Sequence, residues 1–280
     1  MFQKRFLLST EQISDDVSCF TIGFARLITH GKVEDAISAG SGTLVTIGKV
    51  HGVLTTAHVV DALPKSGPVG IIMHADDASR FDKQRIAMEY AVPVAIQADT
   101  FTSKGPDLAF LRLPPDSVGW IAAKGSFYNL RKYRDDVLNN REPTQSYVHS
   151  LTGVIHEFTQ DAPGDSATTR RKIFTAIFCG ARLAALRYFD TYQLHYFELT
   201  NDPGFSLPQS FEGTSGASSW RFYVAEKDNA VTVVERRLVG VPFYQSLDPD
   251  GKKIITCHAA RDIYGALVDA VAAKWHDEAG

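Results

Sequence analysis

The stretch Phe211-Glu212-Gly213-Thr214-Ser215-Gly216-Ala217-Ser218 decides how the rest of this sequence is interpreted. Glycine on both sides of a Thr-Ser pair indicates a tight turn, because glycine adopts backbone conformations closed to other residues and lets another chain approach closely. In such a turn Ser215 presents its hydroxyl beside the backbone N–H groups of Gly213 and of Ser215 itself. Two N–H groups directed at one point form an oxyanion hole. The turn therefore predicts a serine nucleophile, and residues elsewhere must supply its base.

Two upstream motifs offer that base and its partner. Thr55-Thr56-Ala57-His58 follows a predicted strand, and Asp107-Leu108-Ala109 begins another. A serine hydroxyl needs an adjacent base, and histidine has the unperturbed pKa nearest neutrality. An ionised aspartate fixes the tautomer of the imidazole and stabilises the imidazolium that forms. We therefore select His58, Asp107 and Ser215 as catalytic candidates, while a core histidine and a strand-capping aspartate remain the alternatives for the first two.

The remaining pattern is that of an all-β protein with one terminal helix. Short β-branched and apolar runs, separated by Gly, Pro, Asp and Ser, form two groups of about six strands, which is typical of sandwiches or barrels. Ile263, Leu267, Val271 and Trp275 recur at every fourth position and predict a helix over about 262–276. The strands are predicted at 17–25, 43–47, 52–56, 69–74, 86–97, 107–113, 146–157, 171–180, 190–199, 218–225, 231–244 and 253–258.

A polar, charged stretch between the two groups of strands suggests how the chain is divided. Residues 160–166 are predicted to form a surface loop inside the second group. The expected division is an N-terminal extension at 1–16, a first barrel at 17–125, a connection at 126–145, a second barrel at 146–261 and the helix at 262–280.

Composition excludes several classes of protein. The chain has 280 residues, 44% hydrophobic and 22% charged, which is a globular composition with ample length for a core. A formal net charge of −3 argues against a nucleic-acid partner, and no apolar run reaches the ~18 residues of a membrane helix. The first ten residues lack the apolar core of a secretory signal, and three widely spaced cysteines suggest neither disulfides nor a metal site. We therefore expect a cytoplasmic protein.

The three motifs, in the order His58, Asp107 and Ser215, resemble those of the trypsin-like (chymotrypsin-fold) serine peptidases, most of all the intracellular bacterial members. The resemblance covers roughly residues 17–270. It implies two six-stranded antiparallel β-barrels with a C-terminal α-helix, and a His-Asp-Ser triad in the cleft between the barrels. It also implies a peptide or protein substrate and no metal or organic cofactor.

The resemblance implies further residues of the site and two departures from the family. Thr214 stands where activatable members carry an aspartate, so we expect no activating N-terminal cleavage. Regulation would come instead from a partner protein or from ordering of a loop, for instance at 126–145 or 160–170. Ala217 replaces a second glycine. The strand at 238–245 would pair with the substrate backbone, and a neutral pocket would favour a neutral residue, rather than Lys or Arg, before the cleaved bond. The implied substrate-binding residues are Gln209, Phe243, Tyr244, Gln245 and His258.

Two other functions stay open on the sequence. A catalytically silent relative would bind a partner protein through the same cleft. An α/β-hydrolase esterase would use Ser215 with Asp248 or Asp250 and His258. The esterase requires alternating strands and helices, which 17–258 does not suggest.

Overall fold

The computed structural model describes residues 8–30, 33–74, 81–163, 170–200, 207–227 and 230–279. Strands dominate, and they form two separate antiparallel arrangements before a helical C-terminal segment. The strands are β1 (Thr21–His30), β2 (Val33–Ile47), β3 (Val50–Thr55), β4 (Pro68–His74), β5 (Phe81–Ala87), β6 (Val92–Gln97), β7 (Asp107–Arg112), β8 (Tyr128–Asn129), β9 (Tyr147–Pro163), β10 (Arg170–Tyr188), β11 (Gln193–Leu199), β12 (Ser218–Lys227), β13 (Ala230–Leu247) and β14 (Lys253–Ala259).

The first arrangement is a curved sheet in the order β5-β4-β1-β2-β3-β7-β6, with the short β8 pairing in parallel with β2. Among the described residues this path does not close on itself. The second is a closed barrel of six strands in the order β10-β11-β14-β13-β12-β9. The predicted all-β fold of two barrel-like units is confirmed. The α/β-hydrolase alternative is wrong, because helices do not alternate regularly with the strands in the described part of the chain. Asp248, which that alternative used, instead accepts the N–H groups of Asp250 and Lys252 in the turn after β13.

The C-terminal helix is also confirmed, although its first turns are wider than an α-helix. Residues Asp262–Leu267 form a π-helix that continues into an α-helix. The predicted apolar stripe is buried at Ile263, Leu267 and Val271, whereas Trp275 follows the helix as its C-cap. The helices are α1 (Thr10–Val17), α2 (Ala57–Ala62), α3 (Pro115–Ala122), α4 (Leu130–Leu138), α5 (Val268–Lys274) and α6 (His276–Ala279).

Several predicted boundaries differ from the structure for local reasons. The strand predicted at 17–25 starts only at Thr21, because Ser9 and Gln12 form a capping box that begins α1 and a 3-10 turn follows it. The strand predicted at 86–97 is interrupted by a 3-10 turn at Met88–Tyr90. Of the predicted loop at 160–166, residues 160–163 belong to β9, and 164–166 lie outside the described residues.

Apolar side chains from both arrangements and from the C-terminal helix pack into one core. Phe20 lies against Trp220 and Tyr128, with ring centroids 5.6 and 5.8 Å apart. The Tyr128 and Tyr264 hydroxyls are hydrogen bonded at 3.1 Å. This core fixes the sheet and the barrel to one another, so the loops at their junction are held in a defined place.

Candidate functional site

A histidine and an aspartate meet where two paired strands end. Thr55, the last residue of β3, pairs with Ala109 in β7, so the residues that follow β3 lie beside the first residue of β7. His58 sits in the first turn of α2, and Asp107 opens β7. Asp107 Oδ2 is 2.5 Å from His58 Nδ1, and Asp107 Oδ1 accepts the backbone N–H of His58 at 2.9 Å. Both carboxylate oxygens therefore bind the same residue.

This geometry fixes the state of the imidazole. An ionised carboxylate only accepts hydrogen bonds, so the proton of the neutral ring lies on His58 Nδ1 and Nε2 keeps its lone pair. The side chain of Asp107 is 5% exposed and that of His58 is 32% exposed. The edge of the ring contacts Phe101, with centroids 5.0 Å apart. A buried carboxylate thus orients a partly exposed imidazole whose basic nitrogen is unused by Asp107.

The serine lies in a compact turn, as the glycines predict. Gly213 and Gly216 have φ of +95° and +83°, a region that favours glycine. The Thr214 N–H donates to Phe211 O (3.1 Å), and the Ala217 N–H donates to Thr214 O (2.9 Å). The buried Thr214 hydroxyl also donates to Phe211 O, at 2.7 Å. The turn is therefore closed by its own hydrogen bonds.

Ser41 of β2 holds this turn from the other side. Its N–H donates to Ser215 O (2.8 Å), and its hydroxyl donates to Gly213 O (2.6 Å) while accepting the Val154 N–H (2.9 Å). Among the residues that the structure describes, neither the Gly213 N–H nor the Ser215 N–H donates a hydrogen bond. The turn thus has fixed carbonyls and two N–H groups without a partner among the described residues, at the two positions predicted for an oxyanion hole.

Close backbone packing brings the serine turn to the histidine segment. A Cβ on Gly40 would lie 2.5 Å from Val59 Cγ2 and 3.3 Å from Ser215 O. A Cβ on Gly216 would lie 2.0 Å from Thr55 Oγ1. Since Val59 follows His58 in α2 and Thr55 ends the strand before it, the turn that carries Ser215 packs against the segment that carries His58.

A cavity of about 220 Å³ opens beside Ser215. It is lined by three of the predicted substrate-binding residues, Phe243, Tyr244 and Gln245. Gln245 Oε1 accepts the Phe211 N–H at 2.8 Å, which ties β13 to the start of the serine turn. Gln209 does not line this cavity. It is exposed, and its N–H donates to the carboxylate of Glu157.

His258 does not line the cavity, where the pocket wall was expected, but lies against Asp107. Its side chain is 1% exposed, and its Nε2 accepts the backbone N–H of Asp107 at 2.8 Å. Its Nδ1 is 3.1 Å from Asp262 Oδ2. The ring of Phe243 lines the cavity instead of His258, and the centroids of these two rings are 5.0 Å apart. His258 thus lies behind Asp107 rather than beside the substrate cavity.

Sequence reasoning missed Ser41, Thr55 and Asp262, which support the site from other elements. Ser41 lies between Gly40 and Gly42, and in the structure all three belong to β2, where glycine marks a close backbone approach. The sequence did not predict a strand at these positions, so that signal could not be recognised in advance. A Cβ on Gly42 would lie 2.2 Å from Val53 Cγ1. Asp262 is the first residue of the C-terminal π-helix and had no comparable signal.

Neither a metal site nor a spanning helix is found in the part of the chain that the structure describes. No group of three or more His, Cys, Asp and Glu side chains there is arranged to hold a metal ion. No helix there is long and apolar enough to cross a membrane.

Comparison with known proteins gives distant structural likenesses only. No protein-family model matches the chain, and no curated protein matches it. A serine endoprotease from Yersinia pestis is 13% identical, with 98% of this chain and 68% of that chain covered and a TM-score of 0.43. A tobacco vein mottling virus protease is 8% identical, with coverage of 90% and 82% and a TM-score of 0.42. A structure reported with the disordered VPg protein of Sesbania mosaic virus is 12% identical, with 88% of each chain covered and a TM-score of 0.41. Likeness at this level establishes no family.

Proposed function

We propose that this protein is a serine endopeptidase of the trypsin-like kind. Ser215 attacks the peptide carbonyl while His58 Nε2 takes its proton and later delivers it to the leaving amine. Asp107 orients the imidazole and stabilises its charged form. The N–H groups of Gly213 and Ser215 bind the oxyanion of the tetrahedral intermediate. This scheme uses no metal and no organic cofactor.

The observation that carries the proposal is the engagement of both oxygens of Asp107 with His58, next to a serine turn with two unused N–H groups. A histidine that served only the core would not need a buried carboxylate on Nδ1 together with a partly exposed ring. Likewise, a turn that served only as a connection would not need the N–H groups at 213 and 215 free of partners among the described residues. Base, orienting group and oxyanion donors are the parts that acyl transfer by serine requires.

The edge of β13 supports a peptide as substrate. Among the described strands, β13 pairs with β12 only as far as Gly240, but it stays paired with β14 through Leu247. Beyond Gly240, the edge of β13 that faces away from β14 borders the turn that carries Ser215. There Pro242 O accepts the Gly216 N–H at 2.8 Å. We place the extended substrate backbone along this edge, because an unpaired strand edge binds peptides by main-chain hydrogen bonds.

The cavity beside Ser215 supports a neutral residue before the cleaved bond. Phe243, Gln245 and Ile255 contribute apolar or amide surface to it. The acidic residue among those that line it, Glu212, is exposed to solvent. A solvated carboxylate pairs weakly with a cation, and a buried Lys or Arg side chain without a partner is heavily penalised. We therefore expect cleavage after small, apolar or amide-bearing residues.

Digestion of a peptide library by the purified protein tests both points. Ser215→Ala should abolish hydrolysis, since removing such a nucleophile costs on the order of 10⁶ in kcat. Ser66→Ala is the matched control, because Ser66 is an exposed serine that does not line this cavity. Hydrolysis that survives Ser215→Ala would refute the nucleophile, and cleavage mainly after Lys or Arg would refute the specificity alone.

A further inference from the structure

Asp107 opens its strand directly after a loop, so its own backbone needs a fixed partner. Its carboxylate is committed to His58. Its N–H donates across the domain junction to Nε2 of His258, at 2.8 Å, and His258 belongs to β14 of the second barrel. The side chain of His258, in the second barrel, therefore holds the backbone of Asp107, and Asp107 in turn orients His58 in the first sheet.

The hydrogen bonds around His258 fix its tautomer. Since Nε2 accepts the Asp107 N–H, the proton of the neutral ring is on Nδ1, which donates to Asp262 Oδ2 at 3.1 Å. The Asp262 oxygens also accept the Gln193 N–H, at 3.0 and 3.1 Å. A continuous hydrogen-bonded chain thus runs from Gln193 through Asp262, His258 and Asp107 to His58.

Packing holds the His258 ring in this orientation. Gly105, with φ +69°, passes close to the ring, and a Cβ there would lie 3.3 Å from both Cε1 and Nε2 of His258. The Phe243 ring lies on another side, with centroids 5.0 Å apart. His258 and Asp262 are 1% and 5% exposed. Little space remains for the ring to turn away from Asp107.

We propose that His258 and Asp262 are positioning residues of the catalytic centre, which hold the Asp107 backbone so that its carboxylate stays on His58. The proposal rests on the proposed function, because it assigns these residues to the same site. Neither side chain touches the substrate. They act through Asp107, so their loss should lower kcat and leave KM nearly unchanged.

Two replacements of His258 separate this role from packing. His258→Phe keeps the aromatic volume but removes the acceptor, and we expect kcat to fall about 10- to 100-fold, the cost of a misplacement on the order of 1 Å. His258→Gln places an amide oxygen near the position of Nε2, so it should recover most of that loss. His195→Phe is the matched control, since His195 is a buried histidine on the adjacent β11, opposite Cys257.

A spectroscopic readout makes the test independent of turnover. The proton on His58 Nδ1, bound to Asp107, gives a downfield proton NMR signal that the parent and His195→Phe should share and that His258→Phe should shift or lose. A parent-like signal and a parent-like kcat in folded His258→Phe would overturn the proposal. If the parent hydrolyses no peptide, the proposed function fails, and the NMR comparison still decides whether His258 positions Asp107. If His258→Phe does not fold, Asp262→Leu decides instead, because leucine has a similar size but cannot accept the His258 Nδ1 proton. A shifted or lost signal in folded Asp262→Leu supports the proposal, and a parent-like signal overturns it.

Discussion

Replacing Gly216 by alanine would show how strongly catalysis depends on the contact between the serine turn and the end of β3. A Cβ at this position would lie 2.0 Å from Thr55 Oγ1 and 2.4 Å from the backbone oxygen of Ser41. Thr55 is fully buried, and its hydroxyl donates to that same Ser41 oxygen at 2.7 Å. It cannot rotate aside without losing this bond, so the turn itself must move.

The size of the effect follows from the backbone and from the overlap. A positive φ costs alanine on the order of 1–2 kcal/mol. Opening the contact by about 1 Å adds an overpacking cost of roughly 1–3 kcal/mol. The two costs together are about 2–5 kcal/mol, which is less than the ~10 kcal/mol in the middle of the usual range of domain stability, so the variant should stay folded. A displacement of about 1 Å beside the nucleophile should nevertheless lower reactivity about 10²-fold.

Gly251→Ala is the matched control. Gly251 has a similar φ of +78°, but a Cβ there would meet nothing within 4 Å. Urea unfolding and the rate of labelling by a fluorophosphonate probe are measured on both variants. Both should lose unfolding free energy, whereas only Gly216→Ala should react about 100-fold more slowly. Labelling of folded Gly216→Ala at the parental rate would contradict this expectation, and so would an equally slowed labelling of Gly251→Ala.

Three further outcomes are expected. Asp107→Asn should lower kcat by about 10⁴-fold, because the amide no longer fixes the imidazole tautomer; a kcat within tenfold of the parent would contradict this. Ser41→Ala should lower the free energy of unfolding by about 1–3 kcal/mol, since it leaves buried backbone groups unpaired; an unchanged urea midpoint would count against that. Burial, followed by the charge of Arg221, lowers the pKa of His149 to about 3 and that of His195 to about 4. As the pH falls below about 6.5, these two histidines bind protons in the unfolded chain but not in the folded chain. Each of them therefore lowers the free energy of unfolding by about 1.4 kcal/mol per pH unit between about pH 6.5 and 4. Unfolding at pH 7.0 and 5.5 checks this, and an identical pH dependence in His195→Phe would disprove it for that residue.

The strand content and the helix at the C-terminus could be predicted because both depend on local periodicity. The full extent of β2 could not. Its first ten residues, 33–42, are mostly small or polar, and they are strand only because they pair with β1 along its whole length. Closure of the second barrel likewise depends on pairing between β9 and β12, which are separated in the sequence by two further strands.

The same distinction applies to the site. His58, Asp107 and Ser215 each stand in a recognisable local motif, so their residue types and order were accessible from the sequence. The resemblance implies a position for His258 at the wall of the substrate pocket. The structure instead turns it toward Asp107, an interaction between residues far apart in the chain. Asp262 is identified only through that contact.

We propose above that His58 activates Ser215 beside two backbone N–H groups that form an oxyanion hole. The most direct test is to label the purified protein with a fluorophosphonate and to locate the adduct by mass spectrometry, in parallel with Ser215→Ala and His58→Ala. We predict one adduct, on Ser215, that is absent from Ser215→Ala and forms far more slowly in His58→Ala. Failure of the folded parent to react, as a catalytically silent partner-binding module would, or an adduct on another residue, would contradict the account.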